Sequence, residues 1–279
     1  MPEERTIVTD DAVELSVLDL PGESLPHLFF GHATGFCRDV WLPVVDELRS
    51  RGVPVPATTW DYRCHGRSAK TPHPLTWGGY ARDVLAVRAG VSAGSAVGVG
   101  HSMGATTLVL AWLEDQEAFQ GLVLVEPIIF APPFRRGEEG SLIDATLRRK
   151  TSFADRGEAR QNFATKPPFD SWDARALDGY LTGGLTARDG RVWLACRPED
   201  EAETYREGTA HQAFGRLGEV VVPVLVVAGS ETTSLAASRA QDLAERFPDA
   251  RSVIVPGASH FLPMERPETV AGLVAEVLG

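Results

Sequence analysis

Cysteine, methionine and lysine are scarce in this chain of 279 residues, with three copies of each. The cysteines, Cys37, Cys64 and Cys196, are odd in number and form no C-x-x-C pair, which excludes a dense disulfide framework and favours free thiols in a reducing compartment. The seven histidines offer no pair at ligand spacing with a third partner, so we expect neither a metal site nor a cofactor. The fold must therefore rest on an apolar core.

Long apolar runs and an excess of positive charge are also missing. No run approaches the roughly 20 residues that span a bilayer, and the acidic start "MPEERTIVTDD" lacks the apolar stretch of a signal peptide. Lysine and arginine total 27 against 38 aspartates and glutamates, a net charge of −11, which argues against nucleic acid as a partner. We expect a cytoplasmic protein that acts on a small molecule, without a membrane partner. The sequence does not indicate its oligomeric state.

What the chain does contain is an alternation of short apolar runs with segments of helical spacing. The runs are typical of buried strands and read "LPHLFFGH", "VPVPATTWDYR", "AVGVGH", "GLVLVEP", "VPVLVVAG" and "RSVIVPG". Helical spacing follows in segments such as 39–51 and 76–91, and near the end at about 235–247 and 267–278. This alternation predicts the α/β class, with a mainly parallel, doubly wound central sheet. An earlier segment, "AVELSVLDLPG", alternates as an exposed hairpin strand does.

Residues 131–215 interrupt the alternation. They are polar and rich in arginine and glutamate, with helical patterns around "SLIDATLRRK", "RGEARQNFA" and "WDARALDGYL". The apolar strand runs stop before this segment and resume after it. We therefore predict a core made of 1–130 and 216–279, and a helical cap inserted at 131–215.

The sharpest motif is Gly100-His101-Ser102-Met103-Gly104, which a strand precedes and a helix follows. The two glycines permit a tight turn that lifts the serine hydroxyl above the edge of the sheet. The helix N-terminus adds backbone N–H groups that suit a developing oxyanion. Ser102 is therefore the candidate nucleophile.

A nucleophilic serine needs a base and an oxyanion hole. His260 lies between the final strand and the final helix, where a loop at the carboxyl edge of the sheet can reach the serine. The backbone N–H groups of Met103 and Thr34 are the candidate oxyanion donors, Thr34 through the loop "GHATGF". We interpret the remaining histidines of these loops, at 32, 65 and 101, as residues that structure the loops.

Together these motifs resemble the α/β-hydrolase fold family over nearly the whole chain. "GHATGF", "DYRCHGRS", "GHSMG" and "GASHFLPMERPE" follow the order and spacing of that family. Two departures leave the catalytic side chains intact: Ala33 follows His32 where the family usually has glycine, and Cys64 also replaces a glycine. The resemblance implies a helical cap and a serine triad.

The third departure concerns the triad acid. The family's acid usually follows the strand that ends at Gly229, but Thr232 stands there. Two glutamates preserve the order serine, acid, histidine: Glu231, one residue away, and Glu126, which ends "GLVLVEP". Some branches that the chain resembles, among them haloalkane dehalogenases and zearalenone lactonases, place a glutamate after the latter strand. A carboxylate that closes so apolar a run needs a buried partner, which favours Glu126 over Glu231.

Serine at the elbow favours acyl transfer on a carboxylic ester or lactone through an acyl-enzyme. Aromatic residues in the cap suggest an apolar pocket, and the candidate substrate contacts are His32, Phe36, Phe130 and Phe261. The same triad also serves carbon–carbon bond hydrolysis, perhydrolysis and cyanohydrin cleavage in related enzymes. A further alternative is a receptor that binds a ligand on a hydrolase fold without turnover.

Overall fold

Strands and helices alternate along the chain in the computed structural model, which describes residues 1–23, 26–91, 94–132, 139–208, 211–234 and 237–279. The strands of these residues are β1 (Glu3–Val8), β2 (Glu14–Leu20), β3 (His27–Gly31), β4 (Ala57–Trp60), β5 (Ala96–His101), β6 (Gly121–Val125), β7 (Ser152–Phe153), β8 (Leu185–Arg188), β9 (Arg191–Leu194), β10 (Val224–Gly229) and β11 (Ala250–Val255). The helices are α1 (Leu42–Ser50), α2 (Trp77–Gly90), α3 (Met103–Glu114), α4 (Glu139–Leu147), α5 (Arg156–Ala164), α6 (Ala174–Gly183), α7 (Pro198–Glu207), α8 (Ala237–Ala244), α9 (Leu262–Glu265) and α10 (Pro267–Leu278).

Eight of the strands form one sheet in the order β1-β2-β4-β3-β5-β6-β10-β11. The pairs from β4 to β11 are parallel, whereas β1 pairs with β2 and β2 with β4 in antiparallel fashion. The predicted α/β class, the mainly parallel sheet and the N-terminal hairpin are therefore confirmed.

Two apolar clusters cover the two faces of this sheet. Phe30 belongs to the cluster that includes α1 and α10, whereas its neighbour Phe29 belongs to the one that includes α2, α3 and α8. Val123 and Leu124 divide in the same way, because successive side chains of a strand point to opposite faces. Burial on both faces explains why the parallel strands read as continuous apolar runs.

The chain between β6 and β10 contains α4 to α7 and a second, antiparallel sheet in the order β7-β9-β8. The three helices expected there match α4, α5 and α6, and the segment also contains this small sheet, which the sequence patterns do not predict. The hairpin of β8 and β9 turns at Asp189 and Gly190, and both residues have positive φ. The dipeptide Asp-Gly favours a tight hairpin turn of this kind. The division of the chain into core and cap stays a prediction, and Phe134, an aromatic residue of the expected cap, lies outside the described residues.

Helix α6 packs closely onto the core. A Cβ on Gly179 would lie 2.4 Å from the carbonyl oxygen of Asp39, so the helix requires glycine at this approach. Directly before α6 begins, the N–H of Asp173 donates to the carbonyl of Met264 at 2.8 Å, next to the loop that carries His260. The inserted segment therefore contacts the carboxyl edge of the sheet, where Ser102 lies.

Candidate active site

Ser102 lies in a strained turn between β5 and α3. Its φ of 54° and ψ of −113° fall outside the regions that L-residues favour, as is usual for a nucleophile elbow. The backbone N–H of Ser102 donates to the carbonyl of Val125 at 2.9 Å, which ties the turn to the end of β6. The serine is 6% exposed, so it is almost fully buried.

The flanking glycines permit this turn. A Cβ on Gly104 would lie 2.1 Å from the carbonyl oxygen of Gly31, and one on Gly100 would lie 2.5 Å from the nitrogen of Ala105. Helix α3 therefore approaches the end of β3 and the elbow more closely than any side chain would allow.

His260 contacts both other residues of the expected triad. Its Nε2 lies 3.1 Å from Ser102 Oγ, and its Nδ1 lies 3.1 Å from Glu126 Oε2. Because a carboxylate only accepts, Nδ1 carries the proton and Nε2 has a lone pair for the serine hydroxyl. The imidazole side chain is 16% exposed, so substrate can approach it.

Glu126 is fully buried directly after β6, with a φ of 53°. Its Oε1 accepts the backbone N–H of Gly229 at 2.7 Å, and its Oε2 accepts the Thr232 hydroxyl at 2.7 Å. With His260, three donors converge on the carboxylate, which compensates for its removal from water. Thr232, at the family's usual acid position, thus hydrogen-bonds to the acid candidate on the neighbouring strand.

The other acid candidate has different surroundings. Glu231 is exposed, and its Oε1 accepts the hydroxyl of Ser230 at 3.0 Å. Its backbone N–H donates to the carbonyl of Ala258 at 2.9 Å, so the main chain, not the carboxylate, faces the histidine loop. Of the two candidates, Glu126 contacts His260.

The expected oxyanion donors lie on either side of the elbow. Met103 is buried as the first residue of α3, where backbone N–H groups have no partner within the helix. Thr34 is 6% exposed in the loop after β3. Both residues keep this role as a prediction.

His32, predicted as a substrate contact, forms hydrogen bonds to the main chain through both ring nitrogens. Its side chain is fully buried, Nδ1 donates to the carbonyl of Ala33 at 2.8 Å, and Nε2 accepts the N–H of Tyr62 at 3.2 Å. Burial lowers the pKa of His32 to about 4, so the ring stays neutral and can donate and accept at once. His65 acts similarly, because its Nε2 accepts the N–H of Gly35 at 3.0 Å. Both rings hold this loop through hydrogen bonds to the main chain, and His32 stays a predicted substrate contact.

Aromatic rings form a wall beside the candidate triad. Phe36 lies with its ring centroid 5.1 Å from that of Trp172 and 6.1 Å from that of Phe261, and Phe261 lies 5.4 Å from the His260 ring. Phe169 and Tyr180 extend the same cluster from the inserted segment. Phe130 packs instead against the cluster on the α2, α3 and α8 side of the sheet. Phe36, Phe130 and Phe261 remain predicted substrate contacts.

A partly buried ion pair that the sequence patterns do not indicate lies over the loop after β3. Arg149 Nη1 donates to Glu201 Oε2, and Nη2 donates to the Tyr180 hydroxyl oxygen at 3.1 Å. Burial opposes charge on Arg149, but its interactions with Tyr180 and Glu201 outweigh this and raise its pKa. A Cβ on Gly35 would lie 2.7 Å from Glu201 Oε1, so the pair abuts the candidate oxyanion loop. The two charged residues are 52 positions apart in the sequence, which explains why local spacing gives no signal.

Within the described ranges, no three residues among His, Cys, Asp and Glu group as ligands for a metal ion. No described helix is long and apolar enough to cross a membrane.

The fold and this arrangement define a hydrolase-type site, and comparison with known proteins identifies its family. The sequence profile of the Alpha/beta hydrolase family matches residues 28–273. The chain therefore belongs to the alpha/beta hydrolase family.

Two relatives illustrate the range of similarity. The Abhydrolase domain-containing protein ACTT2-1 of Alternaria alternata is 30% identical, over 64% of this chain and 81% of the relative. The 2-(acetamidomethylene)succinate hydrolase of Mesorhizobium japonicum is 26% identical, over 87% of this chain and 84% of the relative.

Solved structures share the fold over the whole chain. The crystal structure of E-2-(acetamidomethylene)succinate hydrolase superposes with a TM-score of 0.82 at 23% identity, covering 100% of this chain and 99% of the other. The enol-lactonase from Burkholderia xenovorans LB400 superposes with a TM-score of 0.73 at 20% identity, covering 98% and 99%. At these identities the similarity shows the fold alone.

Proposed function

We propose that this protein is a serine hydrolase that cleaves a carboxylic ester or lactone through an acyl-enzyme on Ser102. The observation that carries the proposal is the continuous chain of contacts from Ser102 Oγ through His260 to Glu126, at 3.1 Å for each step. Such an arrangement activates a hydroxyl that is a weak nucleophile by itself.

In the proposed mechanism Ser102 Oγ attacks the substrate carbonyl carbon while His260 Nε2 takes the hydroxyl proton. Glu126 holds the imidazole in the required tautomer and stabilises its positive charge. The backbone N–H groups of Thr34 and Met103 donate to the tetrahedral oxyanion.

Collapse of the tetrahedral intermediate breaks the bond to the alcohol oxygen, which receives the proton from His260. The acyl group then remains on Ser102. A water molecule, deprotonated by His260, attacks this acyl-enzyme and releases the carboxylic acid, and the proton returns to the serine. In a lactone, the alcohol and the acid stay in one product.

The aromatic wall supports an apolar or aromatic group in the substrate. Phe36 and Phe261 belong to loops at the sheet edge, and Trp172 approaches both from the inserted segment. Such rings recognise flat or branched apolar groups through area and shape, and this recognition does not depend on the type of bond that is cleaved.

A second candidate is hydrolysis of an amide in a substrate that carries carboxylates. It is favoured by the similarity to 2-(acetamidomethylene)succinate hydrolase, whose name contains an acetamide and a dicarboxylate. The Arg149 guanidinium beside the candidate oxyanion loop is a cation suited to a substrate carboxylate, once it shares or leaves Glu201.

Carbon–carbon bond hydrolysis, perhydrolysis and lyase chemistry would use the same three residues and have no separate observation in their favour. The receptor alternative is the less favoured one, because the serine, the histidine and an acid are all in place.

Hydrolysis of short-chain p-nitrophenyl esters by the purified protein tests the first candidate. We expect turnover by the wild type, a loss of at least about a thousandfold in Ser102→Ala, and near wild-type turnover in Ser50→Ala, which alters an exposed serine at the end of α1. Turnover that survives in Ser102→Ala would contradict the proposal.

Paired substrates that differ in one carboxylate separate the two candidates. If the second is right, adding the carboxylate to an N-acetyl enamide lowers KM in the wild type, and Arg149→Met abolishes that gain while Arg149→Lys keeps part of it. An equal loss on charged and neutral substrates would show that Arg149 does not bind the carboxylate.

A further inference from the structure

His101 lies next to Ser102 in the chain and makes a direct hydrogen bond to the histidine loop. It ends β5, its side chain is 1% exposed, and its Nε2 lies 2.8 Å from the carbonyl oxygen of His260. A carbonyl oxygen only accepts, so Nε2 of His101 carries the proton and donates it. The residue before the nucleophile therefore contacts the main chain of the base.

The two residues that precede His260 are tied to other parts of the fold. The carbonyl of Ala258 accepts the N–H of Glu231 at 2.9 Å, and the N–H of Ser259 donates to Glu265 Oε2 at 2.9 Å. These bonds tie the loop before His260 to the residues that follow β10 and to α9. The bond to the carbonyl of His260 itself comes from His101, on the strand that carries the nucleophile.

Packing leaves the His101 ring little room to turn. Its centroid lies 5.1 Å from that of His260, and the ring stacks on Phe36 with the centroids 6.3 Å apart. Nδ1 is buried without a hydrogen-bond partner among the described residues, as expected of the unprotonated nitrogen of a neutral ring. Among the described residues, the hydrogen bond of this side chain is therefore the one to His260.

The neutral state of His101 suits this location. Burial, with a smaller contribution from His260, holds the pKa of His101 well below its usual range. During the proposed reaction His260 becomes an imidazolium, which a second positive charge at this distance would oppose. A neutral N–H donor fixes the backbone without that repulsion.

We propose that His101 is a positioning residue that fixes the main chain of His260, so that its Nε2 stays within hydrogen-bond reach of Ser102 Oγ. The proposal rests on the proposed function, in which His260 is the base. It gives the His-Ser pair of "GHSMG" a joint role: one residue supplies the nucleophile, and its neighbour holds the base.

Three substitutions separate the hydrogen bond from the space that the ring fills. Glutamine places an amide N–H near the position of His101 Nε2, asparagine has the same amide but is one methylene shorter, and leucine fills space without a donor. Gln and Asn form the matched pair, because they differ in reach and not in chemistry.

Covalent labelling of Ser102 by a fluorophosphonate probe measures activation of the serine without knowledge of the substrate. We expect His101→Asn and His101→Leu to slow labelling by about 10- to 100-fold, because a displacement of about 1 Å can cost a factor of that size. His101→Gln should retain most of the wild-type rate. Labelling at equal rates in Gln and Asn would overturn the proposal, whereas an unlabelled wild type would contradict the proposed function itself.

NMR of the histidine side chains tests the contact independently of activity. In the wild type we expect a low-field resonance from the Nδ1 proton of His260, which is bonded to Glu126. It should persist in His101→Gln and broaden or disappear in His101→Asn. A sharp, unchanged resonance in the folded asparagine variant would show that His101 does not position the base.

Discussion

Thr232 stands where the family usually has its acid, and its hydroxyl donates to the carboxylate of Glu126 on the neighbouring strand. Strands β6 and β10 are adjacent and parallel, so the residues that follow them meet at one edge of the sheet. A carboxylate after either strand can therefore face the same histidine. In this chain the acid candidate follows β6, and a hydroxyl donor takes the place after β10.

Exchange of each glutamate for glutamine tests which one is the acid. Glu126→Gln should lower kcat by roughly 10²- to 10⁴-fold, because an amide no longer enforces the required tautomer of His260. Glu231→Gln should leave turnover near the wild-type value, since that side chain is exposed. The reverse ranking in steady-state ester hydrolysis would assign the acid to Glu231.

Substitution of Thr232 tests whether its hydroxyl matters to the acid. Thr232→Val removes a charge-assisted hydrogen bond to Glu126, and we expect kcat to fall about 10- to 100-fold, since such bonds contribute about 1.5–3 kcal/mol. Thr232→Ser keeps the hydroxyl and should stay within a few-fold of wild type. If the valine variant has the kcat of the serine variant, the hydrogen bond has no role in turnover.

Among the elements, the β5–α3 elbow depends on a close approach of two backbones. Gly104 is the second residue of α3, and Gly78 is the second residue of α2. A Cβ on Gly104 would meet the carbonyl oxygen of Gly31 at 2.1 Å, whereas one on Gly78 would come no nearer than 3.9 Å to the end of the Arg82 side chain. The two glycines occupy equivalent helix positions, but a Cβ has no room at Gly104 and has free space at Gly78.

Alanine at each position should therefore have opposite effects. Gly104→Ala forces α3 away from β3, and we expect it to lower the free energy of unfolding by about 1–3 kcal/mol and to abolish ester hydrolysis. Gly78→Ala should be neutral or stabilising by up to about 1 kcal/mol, with activity unchanged. Thermal unfolding and activity measured on both variants check this, and a fully active Gly104→Ala would contradict the close approach.

Some secondary-structure elements can be predicted from the sequence, and others cannot. Apolar periodicity predicts the strands of the main sheet and the helices that cover it. Each of these elements buries one or both faces, so its apolar residues recur at a regular spacing within a short stretch of sequence. Apolar periodicity does not predict the small β7-β9-β8 sheet, whose strands are short and whose main local signal is the turn at Asp189 and Gly190. The contact of Glu126 with His260 joins residues far apart in sequence, so local patterns point to the two residues and do not give the contact itself. The contact of Arg149 with Glu201 has no local signal in the sequence.

For the molecule as a whole, buried neutral histidines make stability depend on pH. Burial lowers the pKa of His32 to about 4 and of His65 to about 3, from 6.5. Between pH 6.5 and these lower pKa values, each histidine is protonated in the unfolded chain and neutral in the folded chain. The free energy of unfolding contributed by each group is therefore complete above pH 6.5 and is lost as the pH falls toward its folded pKa.

His65→Gln isolates one of these groups, because the amide oxygen can still accept the N–H of Gly35. Between pH 6 and pH 4, we expect its free energy of unfolding in urea to fall less steeply than that of wild type, by about 1.4 kcal/mol per pH unit. Equal slopes for the two proteins would show that His65 is charged in the folded state.

The central claim is that Ser102 carries the acyl group, and trapping that intermediate tests it most directly. The wild type is mixed rapidly with p-nitrophenyl acetate, quenched in acid, digested and mapped by mass spectrometry, with Ser102→Ala as the control. We expect one acetyl group on the peptide that contains Ser102, formed at the rate of the p-nitrophenol burst and missing from the control. An acetyl group on a different residue, or hydrolysis that proceeds equally in Ser102→Ala, would contradict the mechanism.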